Sequence, residues 1–245
     1  MPSDWFAAGG SGVPDGGQPD LPGAARAASE TSRLAGGCAA AFAGLAVVAA
    51  QPRDSWLGRI DTAVIGMVAG ARTAAAVRAA HAVSSLAEPG PVAVLLAAVT
   101  AAAVRRAGWR EGLAPVAAVT AGMMARRKLS GVVARQRPPA SIWLAEPEGF
   151  SLPSRHTALA ALTAGACAGA LGSGRGTSHT AALLAAVGVG ASRVCLGVHW
   201  PSDVLAGWLF AAGWLDLCRW LQPAARVPGS GPGGPVRAGA GRSRL

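Results

Sequence analysis

The sequence predicts an all-α fold, a polytopic membrane bundle of about six transmembrane helices, and three observations carry that prediction. Of 245 residues, 51% are hydrophobic and only 14% charged, with no tyrosine, which is too apolar and charge-poor for an ordinary soluble domain. The net charge of +10 does not read as a nucleic-acid surface, because the arginines punctuate apolar runs instead of clustering with aromatics on a water-facing side. The uncharged stretches themselves repeat at near-span length, where a membrane crossing needs roughly 20 apolar residues.

Residues 1–30 are rich in Gly, Pro and Ser without an apolar period, and read as a flexible N-terminal tail with no cleavable signal peptide. The embedded domain is expected over 31–221. Its first uncharged stretch runs from Leu34 to Pro52. Between Arg53 and Glu88 the apolar pattern is broken by Arg59, Asp61, Arg72, Arg78 and His81, which predicts helices lying on the interface or packed on the bundle, with a seventh span as the alternative. Four further stretches follow: Pro89 to Val104, Gly112 to Ala125, His156 to Gly174 and Gly176 to Ser192. A sixth extends from Asp203 to about Leu221. Residues 222–245 repeat the Gly/Pro/Ser composition, with added arginines, and read as a flexible basic C-terminal tail.

The arginines of RRAGWR (105–110) and of the C-terminal tail place those segments in the cytoplasm by the positive-inside tendency. Loops at 126–155 and 193–203 then share the outer face. The first holds Arg126, Arg127, Lys128, Arg135 and Arg137, so either that face binds an anion or the orientation is reversed. Trp109, Trp143, Trp200 and Trp220 near span ends suit an interfacial belt. The four cysteines have no metal-ligand spacing and read as small packing residues.

Three short motifs carry chemistry. RQRPP occupies 135–139, LPSRH 152–156 and SRVCLGVHWPSD 192–203. Ser154 before Arg155 and His156 is by itself an ordinary helix-capping arrangement, Arg193 alone an interfacial arginine, and Asp203 alone an acid at a helix start. Taken together, in this order and spacing, the three resemble the signature of the type 2 phosphatidic acid phosphatase superfamily, which includes membrane lipid phosphatases and vanadium haloperoxidases. That signature is Lys, six residues, Arg-Pro; Pro-Ser-Gly-His; and Ser-Arg, five residues, His, three residues, Asp. The resemblance covers about residues 55–221, and the third motif matches at every defining position.

Two positions depart from it. Arg137-Pro138 lies nine residues after Lys128, the only lysine of the chain, so that Ser130 stands where the family has its lysine. Alternatively Lys128 pairs with Arg135 at the proper spacing, and Gln136 replaces the proline. Arg155 stands where the family has glycine, and its guanidinium is expected to supply the cation that the shifted lysine no longer places.

Metal-free phosphomonoester hydrolysis needs a nucleophile, a proton donor for the leaving alkoxide, and cations or N–H groups around the phosphoryl oxygens. The resemblance implies His199 as nucleophile, forming a phosphohistidine, Asp203 as the carboxylate that orients it, and His156 as the acid. It implies Arg137, Arg193 and Ser154 as phosphate ligands, joined as candidates by Arg155, Lys128 and Arg135. No cofactor or metal is implied. The expected partners are a membrane and a phosphorylated lipid, with no nucleic acid; the pattern sets no oligomeric state. Phosphatidic acid, a polyprenyl diphosphate, phosphatidylglycerol phosphate and a phosphorylated prenyl sugar present the same terminal phosphate. The Ala/Gly/Arg-heavy composition predicts a bacterial cell membrane. The alternatives are a vanadate-dependent haloperoxidase and a catalytically weak binding or scaffold protein. His81 and His179 fall in no motif and receive no role.

Overall fold

The computed structural model describes residues 36–47, 54–171 and 177–221; both tails and the side chain of His179 lie outside them. The described chain is helical and contains no strand: α1 Gly36–Val47, α2 Trp56–Gly70, α3 Ala74–Ser85, α4 Pro89–Ala107, α5 Trp109–Val133, α6 Arg155–Ala170, α7 Thr177–Cys195 and α8 Pro201–Leu221, with a 3-10 turn at Ala140–Ile142.

Within the described residues, each of the six apolar stretches holds a helix. By length and apolarity α4 and α8 are sufficient to cross a membrane, and α2 with α3 count as a third unit if taken together across a 118° bend. Val94, Leu95, Leu205 and Leu217 stand exposed on α4 and α8, the surface expected of helices that face lipid rather than water. The region 53–88 follows its expectation of helices packed on the bundle: α3 lies along α7, and α2 contacts α7 and α8.

The core forms around α6, which packs on α4, α5, α7 and α8. Val92, Leu96 and Val99 of α4, Val119 of α5, Ala158 and Leu162 of α6, and Phe210 and Ala211 of α8 make its centre. Small residues permit the close approach. At the α4–α5 turn a Cβ on Gly112 would lie 2.2 Å from Val104 Cγ2 and 2.8 Å from Val104 N, so only glycine allows the chain to double back there.

One boundary differs from expectation. Arg126, Arg127 and Lys128, read as part of an outer loop, lie on α5, which continues to Val133 and stops only where Ala134 adopts a left-handed conformation (φ 48°) and donates to Ser130 O. No proline lies between Ala125 and Val133 and the single Gly131 is tolerated inside the helix, and charge alone does not end a helix. Arg126 is buried there, its Nε donating to Pro153 O at 2.7 Å, while Lys128 is exposed. Trp200 also departs from the interfacial belt. It is buried, donates to Gln136 O at 2.9 Å and lies beneath the Arg135 guanidinium, 5.8 Å from the ring centre.

Candidate active site

Five segments meet at one end of the bundle: the α3–α4 turn, the connector 134–154, the first turn of α6, the last turn of α7 and the start of α8. Their side chains enclose a cavity of about 320 Å³ whose walls include His199, His156, Arg137, Arg193 and Arg155.

The segment bearing His199 is fixed before its side chain is considered. Beyond α7, Gly197 N donates to Val194 O at 3.0 Å and Val198 N to Arg193 O at 3.2 Å, while Leu144 N from the connector donates to Leu196 O at 2.9 Å. Gly197 has φ 76°, and a Cβ there would meet Ile142 O at 2.2 Å. Leu196 and Val198, on either side, are fully buried.

His199 is itself buried. Its Nδ1 lies 3.4 Å from Asp203 Oδ2 and its Nε2 lies 3.1 Å from Arg137 Nη1. A guanidinium has only donors, so Nε2 accepts and the ring proton is assigned to Nδ1, toward the carboxylate. Burial drives the His199 pKa down to about 4, with Arg137 and Arg193 adding and Asp203 opposing. The ring is therefore neutral near pH 7, with its Nε2 lone pair on the arginine side.

Asp203 is completely buried and receives four donors: Arg135 Nη1 at 2.6 Å, Trp200 N at 2.9 Å, Ser151 Oγ at 3.4 Å and the His199 ring. Arg135 reaches Asp61 Oδ2 with its other nitrogen at 2.7 Å. Asp61, from α2, also accepts from the backbone N–H of Ser202 at 3.0 Å and from its hydroxyl. Arg135 is thus held between two buried carboxylates behind His199 and does not line the cavity, which corrects its expected place among the phosphate ligands. The motif arginine that faces the cavity is Arg137, whose guanidinium is set by the carbonyls of Gly149, Val198, Glu148 and Phe150 at 2.7–3.1 Å.

Arg193 is buried with Nη1 donating to Ser84 Oγ at 2.7 Å, and its Nε has no partner among the described residues. A buried donor left open on a cavity wall suits an incoming anion. His156 Nε2 lies 2.9 Å from Glu88 Oε1. Arg155 projects into the same space, 3.8 Å from a Glu88 oxygen and 3.6 Å from a Glu148 oxygen.

Two further expectations are displaced. Lys128 is exposed and does not line the cavity. Ser154 is at the N-cap position of α6 but makes no side-chain cap bond; fully buried, it accepts from Thr157 Oγ1 at 3.0 Å and its N–H donates to Asp203 O at 3.1 Å. It joins the start of α6 to the start of α8 and leaves the first-turn N–H groups of α6 without a side-chain cap. Residues that sequence reading missed are Asp61, Ser84, Glu88, Glu146 and Glu148, together with His81, which lines the cavity although no role was assigned to it. The available signal was a single acid in an apolar run for Asp61 and an acid before Pro-Gly at a helix start for Glu88.

Comparison with known proteins agrees with the motif resemblance. Residues 111–226 match the PAP2 superfamily. Phosphatidylglycerophosphatase B of Escherichia coli K12 is 40% identical over 82 residues, 33% of this chain and 32% of that protein, and the Shigella flexneri protein of the same name matches to the same extent. The chain thus spans about a third of the length of the curated relatives it matches. The crystal structure of a transmembrane PAP2 type phosphatidylglycerolphosphate phosphatase from Bacillus subtilis shares the fold, with a TM-score of 0.69 over 76% of this chain and 94% of that one, at 23% identity.

Proposed function

We propose, for a chain whose residues 111–226 match the PAP2 superfamily, that it hydrolyses a membrane lipid phosphate without a metal through a phosphohistidine at His199. The observation that carries this reading is the pair of opposed contacts on the His199 ring, a carboxylate at Nδ1 and a guanidinium at Nε2. Together they favour a neutral ring with its lone pair on the cavity side, which is the form a nucleophile requires.

In the first step Nε2 attacks phosphorus, the N–P bond forms, and the bond to the lipid oxygen breaks. Arg137 and Arg193 receive the phosphoryl oxygens, joined by Arg155 and by the uncapped N–H groups at the start of α6. His156, as the imidazolium, gives its proton to the leaving alkoxide and becomes neutral. In the second step water attacks the phosphohistidine and yields a proton to His156, the N–P bond breaks, and inorganic phosphate departs. Asp203 keeps the proton on Nδ1 and stabilises the charge that grows on the ring.

The names of the curated relatives favour phosphatidylglycerol phosphate as the lipid, and the exposed apolar faces of α4 and α8 favour a membrane site at head-group depth. The arginines of 105–110 and of the C-terminal tail favour the outer face for that site, and the Ala/Gly/Arg-heavy composition favours a bacterial cell membrane. Phosphate release by purified protein in detergent with EDTA, from phosphatidylglycerol phosphate, phosphatidic acid and polyprenyl phosphates and diphosphates, tests the reading. Release that falls by about 10³-fold or more in His199→Ala is the expected result. Release that persists in the variant would refute the assignment of the nucleophile.

A further inference from the structure

Glu88 sits at the N-cap of α4 but makes no side-chain bond to that helix. The two preceding helices are capped in the ordinary way, Ser55 accepting from Gly58 N at 3.2 Å and Thr73 from Ala76 N at 3.1 Å. The Glu88 carboxylate is directed away from a position where it would be favourable and onto a ring in α6, 2.9 Å from His156 Nε2.

His199 and His156 thus receive opposite partners on the same atom. Nε2 of His199 faces a guanidinium, which only donates; Nε2 of His156 faces a carboxylate, which when ionised only accepts. The first contact favours a lone pair and the second a proton, which is the division of labour between nucleophile and acid. We propose that Glu88 is a positioning residue for His156: its carboxylate fixes the ring and holds on Nε2 the proton that passes to the leaving alkoxide.

Burial of His156, with Arg193 from α7 and Arg155 beside it, holds its pKa down to about 4 even though Glu88 is the anion that counters them, so the imidazolium forms when the negative charge of a bound phosphate is added to that of Glu88. Arg137 and His199 from the facing loops, His81 from α3, and Glu146 and Glu148 from the connector complete the titratable walls. The hydrogen bond to His156 also holds the Glu88 carboxyl below its usual range, against its own partial burial and with Arg155 and Arg193 assisting. Glu88 remains ionised through both steps; the proton cycles between His156, the alkoxide and water. His156 lines the cavity beside Glu88, so the leaving oxygen approaches the same N–H from there.

This inference rests on the phosphatase reading, and one experiment separates the two. Phosphate release from phosphatidylglycerol phosphate and phosphatidic acid, in detergent with EDTA, is measured from pH 5 to 9 for wild type, His199→Ala, Glu88→Gln and Glu88→Asp, each checked for thermal unfolding. Glu88→Gln keeps an acceptor but removes the charge. It is expected to lower kcat about 10- to 100-fold at pH 7 with KM within about twofold, and to move the basic limb of kcat about one pH unit lower. Glu88→Asp retains the charge at shorter reach and is expected to restore part of the limb; it reads the same effect if Glu88→Gln fails to fold. Unchanged kcat and limb would overturn the inference. So would a lower KM at unchanged kcat, which would mean that Glu88 merely occupies the phosphate seat. Activity abolished in His199→Ala but intact in both Glu88 variants refutes the Glu88 assignment alone. A wild type inactive on every lipid, or an active His199→Ala, refutes the phosphatase reading and this inference with it.

Discussion

The two walls of the cavity are built on opposite plans. Behind His199, Asp203 is 0% and Asp61 2% exposed, and Arg135 joins them through contacts of 2.6 and 2.7 Å. Opposite, Glu88 and Glu148 are 45% and 83% exposed and reach Arg155 only at 3.6–3.8 Å. A buried ion triad is expensive to break because any charge left behind has no solvent, whereas loose surface pairs contribute little to stability. The difference teaches that the inner wall holds geometry, whereas the outer wall is loose enough to rearrange its charges around a ligand.

The largest effect that would break this contrast is at the centre of the triad. Arg135→Ala leaves two carboxylates buried against each other and is expected to cost about 3–5 kcal/mol, seen as a large fall in the thermal midpoint in detergent together with loss of phosphatase activity. A midpoint near that of wild type would show that the inner wall is not structural.

Next in size is the proton balance of His199. With a folded pKa near 4 against an unfolded value of about 6.5, the unfolded chain takes up the proton first as pH falls. The stability tied to the neutral ring is complete above about pH 6.5 and is lost progressively toward pH 4, on the order of 3 kcal/mol in total. Thermal midpoints between pH 7.5 and 4.5 should fall more steeply for wild type than for His199→Gln, and parallel slopes would contradict the burial argument.

On the outer wall the effects should move from stability to catalysis. Arg155→Gly is expected to reduce kcat/KM about 10- to 100-fold while changing stability by less than about 1 kcal/mol. Lys128→Ala should change kcat/KM by less than about twofold, as a solvated residue away from the cavity. Steady-state kinetics of the pair decides whether the arginine or the lysine carries the missing motif charge; an intact Arg155→Gly beside an inactive Lys128→Ala would reverse the assignment.

Much of the helical framework was legible because apolar length and charge spacing are local properties, and within the described residues each apolar stretch holds a helix. The end of α5 was not, because Arg126, Arg127 and Lys128 look like loop residues until the buried carbonyl of Pro153 is seen to receive Arg126. In the site, the short motifs gave the cavity-facing His199, His156, Arg137 and Arg193, whose positions within each motif are fixed by local turns. Asp61 and Glu88 were hidden for a different reason. Asp61 meets Ser202 across 141 residues of chain and Glu88 meets His156 across 68, and nothing near either acid in sequence indicates its partner. Arg135 and Arg137 looked equivalent for the same cause: two residues apart, they would share one side of a regular extended segment, and it is the tertiary packing of Asp61 and Asp203 on Arg135, and of His199 on Arg137, that separates them.

Gly197 places a limit on how this protein can diversify. With Ile142 O where a Cβ would sit and φ at 76°, the loop that bears His199 admits no larger residue without displacing the connector against it. That loop must be inherited whole. On the phosphatase reading, divergence toward a different lipid head group falls to the facing connector, at positions 145–148, where side chains can lengthen, shorten or change sign without moving the reacting nitrogen or the Glu88–His156 contact.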